Sequence, residues 1–159
     1  LAALTEKPGR IERLFNLDKM NVAGIWAVEL YKNGSSQQVV LDDYIPCKKG
    51  SPCFSRAHGN ELWVIILEKA YAKLHGSYER IEAGLCTDVM RDLTGAPSFS
   101  MLTSEEAWLK LLDYDEKDYI MAASCSSSST DVAQLESFGL VAAHAYTLVA
   151  VKLINDRSG

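Results

Sequence analysis

The sequence predicts an α+β protein in two lobes, and three observations carry the prediction. Two strand-like runs flank Asn33-Gly34, a periodic helix runs from Asn60 to about His75, and the last third is rich in strand formers around a polar loop. Helix and hairpin come first and strands last, a segregated order that favours α+β over an alternating parallel plan. At 159 residues the chain suits one compact domain or two small lobes. With 48% hydrophobic and 23% charged residues it is not a disordered chain. Its net charge of -5 argues against a nucleic-acid surface, which is normally basic. No uninterrupted apolar run approaches the roughly 20 residues of a membrane span.

Taken in order, residues 1–4 read as the tail of a helix that begins upstream. Ile11, Leu14 and Phe15 mark a short amphipathic turn. Residues 23–30 are strand formers, and after the turn at Asn33-Gly34 a second strand runs through residues 37–41, a strong hairpin signal. Residues 47–59 read as loop. Asn60 is a suitable N-cap for the long helix, and Glu61 places negative charge at its start. Leu62, Ile65, Ile66, Ala70 and Leu74 form its apolar face, and Gly76 ends it. A composition shift at Ala83-Gly84-Leu85-Cys86 places the lobe boundary, giving lobes 1–84 and 85–159. Thr103 and Glu106 resemble a capping box opening a helix through Trp108 to Leu112. Residues 119–123 read as a buried strand, residues 124–130 as a polar serine loop, and residues 140–154 as strand again. The chain starts at Leu1 without Met and stops at Arg157-Ser158-Gly159, which reads as a piece of something longer.

Among the residues able to do chemistry, His75 closes a helix and His58 lies in a loop, so neither is singled out. His144 follows the serine loop and enters a strand through Tyr146, a lip position where a rigid element can hold a reactive imidazole. Cys47, Cys53, Cys86 and Cys125 are expected to be free thiols of an intracellular protein, with a Cys47–Cys53 disulfide as the alternative. None has an activating neighbour in sequence, and Cys86 has no evident helix N-terminus beside it. Asp42, Asp43 and Glu61 offer hard oxygen ligands for calcium, but equally cap a turn and favour a helix dipole. Asp113, Asp115, Glu116 and Asp118 read as a solvated acidic surface.

Longer strings carry a resemblance. Glu61-Leu62-Trp63 with Leu67-Glu68-Lys69-Ala70-Tyr71-Ala72-Lys73-Leu74-His75-Gly76-Ser77-Tyr78-Glu79 resembles the protease core of the calpain family. So do Val40-Leu41-Asp42-Asp43-Tyr44-Ile45-Pro46, Asp92-Leu93-Thr94-Gly95, and Gly139-Leu140-Val141 through His144-Ala145-Tyr146. These run in family order along nearly the whole chain. The resemblance implies a papain-like, two-lobed, calcium-dependent cysteine endopeptidase using a Cys-His-Asn triad. His144 is then the general base and Glu61 a calcium-ligating carboxylate. Gly84 and Ala143 are then substrate-contacting positions, Gly84 in the cleft and Ala143 beside the imidazole where the family usually has Gly. The serine loop from Ser126 towards Ala143 is expected to be a movable lip over the cleft.

On the same resemblance Leu1-Ala2-Ala3 follows the nucleophile's motif and the triad Asn lies beyond Gly159, so the segment alone is expected to be inactive. The expected partners are protein or peptide substrates, with no nucleic acid and no membrane span, in the cytoplasm. Ala143 and Ala83, standing where glycines are usual, support an alternative: a non-proteolytic, calpain-like module with a binding or scaffold role in a larger assembly.

Overall fold

The computed structural model describes residues 1–16, 23–56, 59, 61–125 and 132–154. Helices and small antiparallel sheets make it an α+β protein. Its contacts gather into two compact units: Pro8–Ser98, and Leu1–Lys7 with the residues from Phe99 onward.

The Pro8–Ser98 unit is built on one hairpin. Strand β1 (Ile25–Lys32) pairs antiparallel with β2 (Ser35–Asp42), from Ile25 opposite Asp42 to Lys32 opposite Ser35. Asn33 and Gly34 link them with φ of 51° and 78°, the doubly left-handed turn whose twist suits a two-residue hairpin. Alternation along the strands puts Val28, Leu30, Val39 and Leu41 on one face, and all four are buried. Ahead of the hairpin, Phe15 bridges to Val28 and meets Trp26 edge to face at 6.3 Å.

The hairpin continues into a small second one, β3 (Cys47–Lys48) with β4 (Ser51–Pro52), turned by Lys49 and Gly50 at φ of 52° and 77°. The sequence reading had loop here, because strands of two residues leave no periodicity. Helix α2 (Trp63–His75) then packs on β1 and β2 with Ile65, Ile66, Leu67, Ala70 and Ala72 buried. Burial of each such large side chain contributes about 1.5–3 kcal/mol. Gly76 ends the helix at φ 101°, as expected. The start differs: Glu61 precedes the helix, Leu62 occupies the N-cap with no side-chain bond, and the expected cap, Asn60, lies outside the described residues. Helix commitment here follows the buried triplet Ile65, Ile66 and Leu67.

Helix α3 (Cys86–Thr94) was not anticipated, since a composition shift without long apolar periodicity read as a boundary. It is held by an Asp88–Arg91 pair at 2.6 Å, a left-handed Gly95 at φ 69° and packing against β1. The Tyr31 ring lies where a Gly95 side chain would start, at 2.7 Å from an added Cβ, so only glycine fits. Its packing on β1 places α3 in the Pro8–Ser98 unit.

Three side chains from two elements, β1 and α2, meet buried Asp92. Its Oδ2 lies 3.0 Å from His75 Nε2, and accepts from Lys32 Nζ and the Tyr71 hydroxyl, each at 3.3 Å. His75 therefore turns sideways into this cluster and does not cap its own helix's last carbonyls. Lys32 Nζ also sits 3.3 Å from both His75 ring nitrogens, and the Tyr71 and His75 rings pack at 4.4 Å. Burial, reinforced by the Asp92 carboxylate, pushes the Tyr71 hydroxyl above its ordinary value of 10, so it stays a neutral donor. At the middle of α2, Lys69 Nζ donates to the Asp42 carboxylate at 2.5 Å and to the Asp42 and Tyr44 carbonyls at 3.0 and 2.6 Å. That lysine, with the Tyr44 amide, holds the exposed Asp42 carboxyl below the usual 3.8. Lys73 Nζ donates to Val40 O at 2.6 Å.

The second unit contains α1 (Ala2–Thr5), α4 (Glu105–Glu116), β5 (Met121–Ser124), α5 (Val132–Ser137) and β6 (Ala145–Leu148). Strand β5 pairs antiparallel with β6, from Met121 opposite Leu148 to Ser124 opposite Ala145, and α1 lies against β6. The α4 cap is Ser104, whose hydroxyl accepts from Ala107 N at 3.1 Å, one residue past the expected Thr103 box. Both strands are shorter than expected and β5 buries Met121 alone, so it is not a fully buried strand. Residues 132–137 of the expected lip are helical, while residues 126–131 lie outside the described residues. No described helix is long and apolar enough to cross a membrane.

Replacing Asp92 tests the cluster. Asp92→Asn strips the countercharge from partly exposed donors that turn to water, so urea denaturation is expected to show a loss of about 2 kcal/mol. A loss below about 0.5 kcal/mol contradicts the role given to this carboxylate.

Candidate active site

His144 is carried by a short, closely held turn. Helix α5 ends with Phe138 N donating to Gln134 O and Leu135 O, Gly139 N to Glu136 O at 2.9 Å and Leu140 N to Leu135 O at 2.9 Å. Gly139 takes φ 74°, the left-handed conformation that ends many helices. The chain then turns through Ala142 and Ala143 and enters β6 at Ala145. Ala143 has φ 54°, a conformation that costs an L-residue about 1–2 kcal/mol because its Cβ crowds the following carbonyl. This is the physical content of the Ala-for-Gly difference noted in the sequence: the backbone keeps a glycine-like shape with a methyl group attached.

The backbone of His144 is tied to β5. Its carbonyl accepts from Cys125 N at 3.0 Å, one rung past the Ser124–Ala145 pair. Its ring meets the Tyr146 ring at 4.9 Å and 80°, and the Tyr146 hydroxyl accepts from Val141 N at 2.8 Å across the turn. The residue itself is exposed, so the imidazole is open to a reactant. A rigid mount with a solvent-facing ring suits a general base, which has to exchange protons with groups brought to it.

The other candidates are placed separately. Ala143 lies in the same unit as His144, whereas Glu61 and Gly84 belong to the Pro8–Ser98 unit. Gly84 is exposed, has no left-handed backbone, and an added Cβ there would meet nothing within 4 Å. Local folding does not require glycine at this position. Glu61 is exposed and accepts from Trp63 Nε1 at 3.2 Å. Calcium takes 6–8 oxygen ligands. Among the described residues no three His, Cys, Asp or Glu side chains gather as a metal site.

All four cysteines are free. Cys47 pairs with Pro52, and Cys53 N donates to Pro46 O at 2.9 Å. Pairing positions alternate faces, so the two thiols point to opposite sides of the small hairpin and the alternative disulfide is not formed. Cys125 is linked to His144 through its backbone amide. Cys86 is the first residue of α3, so it does stand at a helix N-terminus, contrary to the sequence reading. Tyr146 is the residue that the sequence reading passed over. Its spacing was the available signal, since residues two apart in an extended segment face the same side.

The strain at Ala143 is measurable. Ala143→Gly removes the Cβ from a left-handed residue and should raise the unfolding free energy of its unit by about 1 kcal/mol, read by thermal or urea denaturation. A destabilised variant would show that the methyl group packs usefully and that the turn is not strained.

Comparison with known proteins adds to this geometry. The family model described as calpain family cysteine protease matches residues 1–159. The calpain-type cysteine protease DEK1 of Zea mays is 39% identical over 98% of this chain and 8% of its own length. The calpain-type cysteine protease ADL1 of Oryza sativa subsp. japonica is 38% identical over the same shares. Calpain-9 of Mus musculus is 32% identical over 98% of this chain and 24% of its own. The chain thus spans less than a tenth of the plant relatives.

Proposed function

This chain belongs to the calpain family of cysteine proteases, and from that premise we propose that it is part of the catalytic core of a calcium-dependent cysteine endopeptidase with His144 as general base. One observation supports this most: His144 is exposed, its backbone carbonyl held by Cys125 N and its ring packed edge to face against Tyr146.

In the proposed reaction His144 takes the proton of a cysteine thiol, and the thiolate attacks the carbonyl carbon of a peptide bond. The imidazolium then gives that proton to the departing amine, leaving an acyl-enzyme that water hydrolyses. We assign the nucleophile and the Asn that orients His144 to the parent protein outside residues 1–159. The described structure forms no bond between His144's ring and any of the four thiols.

Gly84 is assigned to the substrate. A glycine that folding does not require, on an open surface, leaves room for an extended peptide to approach the backbone closely. Ala143 is assigned to the same task beside the imidazole. Calcium dependence belongs to this reading through Glu61, which supplies one exposed carboxylate; no step of the reaction is routed through the ion. Protein or peptide substrates follow from the reaction, and free thiols support a reducing, cytoplasmic setting.

Two substitutions in the parent protein test the assignment. His144→Ala is expected to lower kcat/KM on a peptide substrate by at least about a thousandfold, since a base that activates the nucleophile is lost with it. Retained activity would remove His144 from the mechanism, and an inactive but folded wild-type parent would favour the scaffold role instead. Gly84→Ala is expected to raise KM by about tenfold or more without moving the thermal midpoint, because the added Cβ meets no protein atom within 4 Å. An unchanged KM would take Gly84 out of the substrate cleft.

A further inference from the structure

The turn that presents His144 contains a contradiction that one side chain resolves. Ala143 holds a left-handed backbone at φ 54°, which an alanine leaves when its surroundings allow. The residue before that turn, Val141, donates its amide to the Tyr146 hydroxyl at 2.8 Å. Tyr146 stands in β6, which is paired with β5, so the hydroxyl that receives this bond is anchored to the sheet. The bond closes a loop from Val141 to Tyr146 with Ala143 and His144 inside it. The same tyrosine ring packs perpendicular to the His144 ring at 4.9 Å.

We propose that Tyr146 is a positioning residue for His144: its hydroxyl clamps the strained turn and its ring limits rotation of the imidazole. The inference rests on the reading of His144 as general base, and it goes further by naming what sets the direction of that base. The hydroxyl and the ring act on different parts of the problem. The hydroxyl keeps Ala143 in its left-handed state and so fixes where the His144 Cα sits. The ring narrows the arc over which the imidazole turns. Cys125 secures the third point, the His144 carbonyl. A base that has to meet a thiol at about 3 Å and later a departing amine gains from all three restraints, since misplacement of about 1 Å at such a site costs up to a hundredfold in rate.

Tyr146→Phe keeps the ring and removes the hydroxyl, which makes it the informative variant. In the parent protein it is expected to lower kcat about tenfold with KM changed less than twofold. Ala143→Gly, added to Tyr146→Phe, is expected to recover a good part of that loss, because glycine adopts the left-handed state without a clamp. A residue that served stability alone would lower the thermal midpoint with no kcat split and no recovery by glycine. A second measurement does not depend on peptidase activity: carbethoxylation of His144 by diethyl pyrocarbonate, followed by mass spectrometry. Tyr146→Phe is expected to speed modification of His144 at least about twofold by freeing the turn, with modification of His75, in its Asp92 cluster, as the internal reference. Unchanged kcat together with an unchanged carbethoxylation rate would overturn the role given to Tyr146. Faster carbethoxylation in a parent without peptidase activity would support the clamp while sinking the protease reading.

Discussion

The Pro8–Ser98 unit depends on one buried carboxylate. Asp92 is 3% exposed, and a charge in that position is tolerated only with donors around it. It finds them on β1 through Lys32 and on α2 through Tyr71 and His75, so satisfying Asp92 fixes where the hairpin, α2 and α3 meet. Apolar burial of Val28, Leu30, Ile66 and Leu67 supplies the driving force, but it is non-directional. The polar cluster supplies register, because an offset between the elements would leave a carboxylate buried without a partner.

Three of the strings that carry the family resemblance turn out to be partners of one another. Lys69 and Lys73, from the long helix string, hold the carbonyls of Val40, Asp42 and Tyr44 in the Val40-to-Pro46 string. His75 and Tyr71, from the same helix string, reach the Asp92 of Asp92-Leu93-Thr94-Gly95. Gly95 closes that string where the Tyr31 ring leaves no room for a side chain. What looks in sequence like three separate motifs is one hydrogen-bonded assembly, which is a physical reason for them to occur together.

The candidate site works on the same principle at smaller scale. Around His144 there is little apolar burial: the histidine, Ala143 and Val141 are all exposed. Position is held instead by directional bonds at Cys125 and Tyr146. For these exposed residues, local bonding substitutes for the packing that a buried residue would have.

Much of this was legible from residue order. Asn33-Gly34 specified its turn because both positions have positive φ, and Gly76 marked a helix end for a related reason. The apolar face of α2 was visible because its burial repeats with the helical period. The position of His144 ahead of a strand was readable from its neighbours. Other features had no local signature. Helix α3 has few apolar residues and stands through its packing on β1, and Ser104 and Thr103 are chemically equivalent caps until the chain selects one. His75 read as a cap because its partner, Asp92, is distant in sequence, and Cys86 was taken as lacking a helix N-terminus because α3 itself was unseen. The sequence by itself determined the Asn33-Gly34 turn, the main helix and the place of His144 ahead of a strand. Only the tertiary structure decided which charges meet and what holds His144, because those depend on groups brought together through space and not by spacing along the chain.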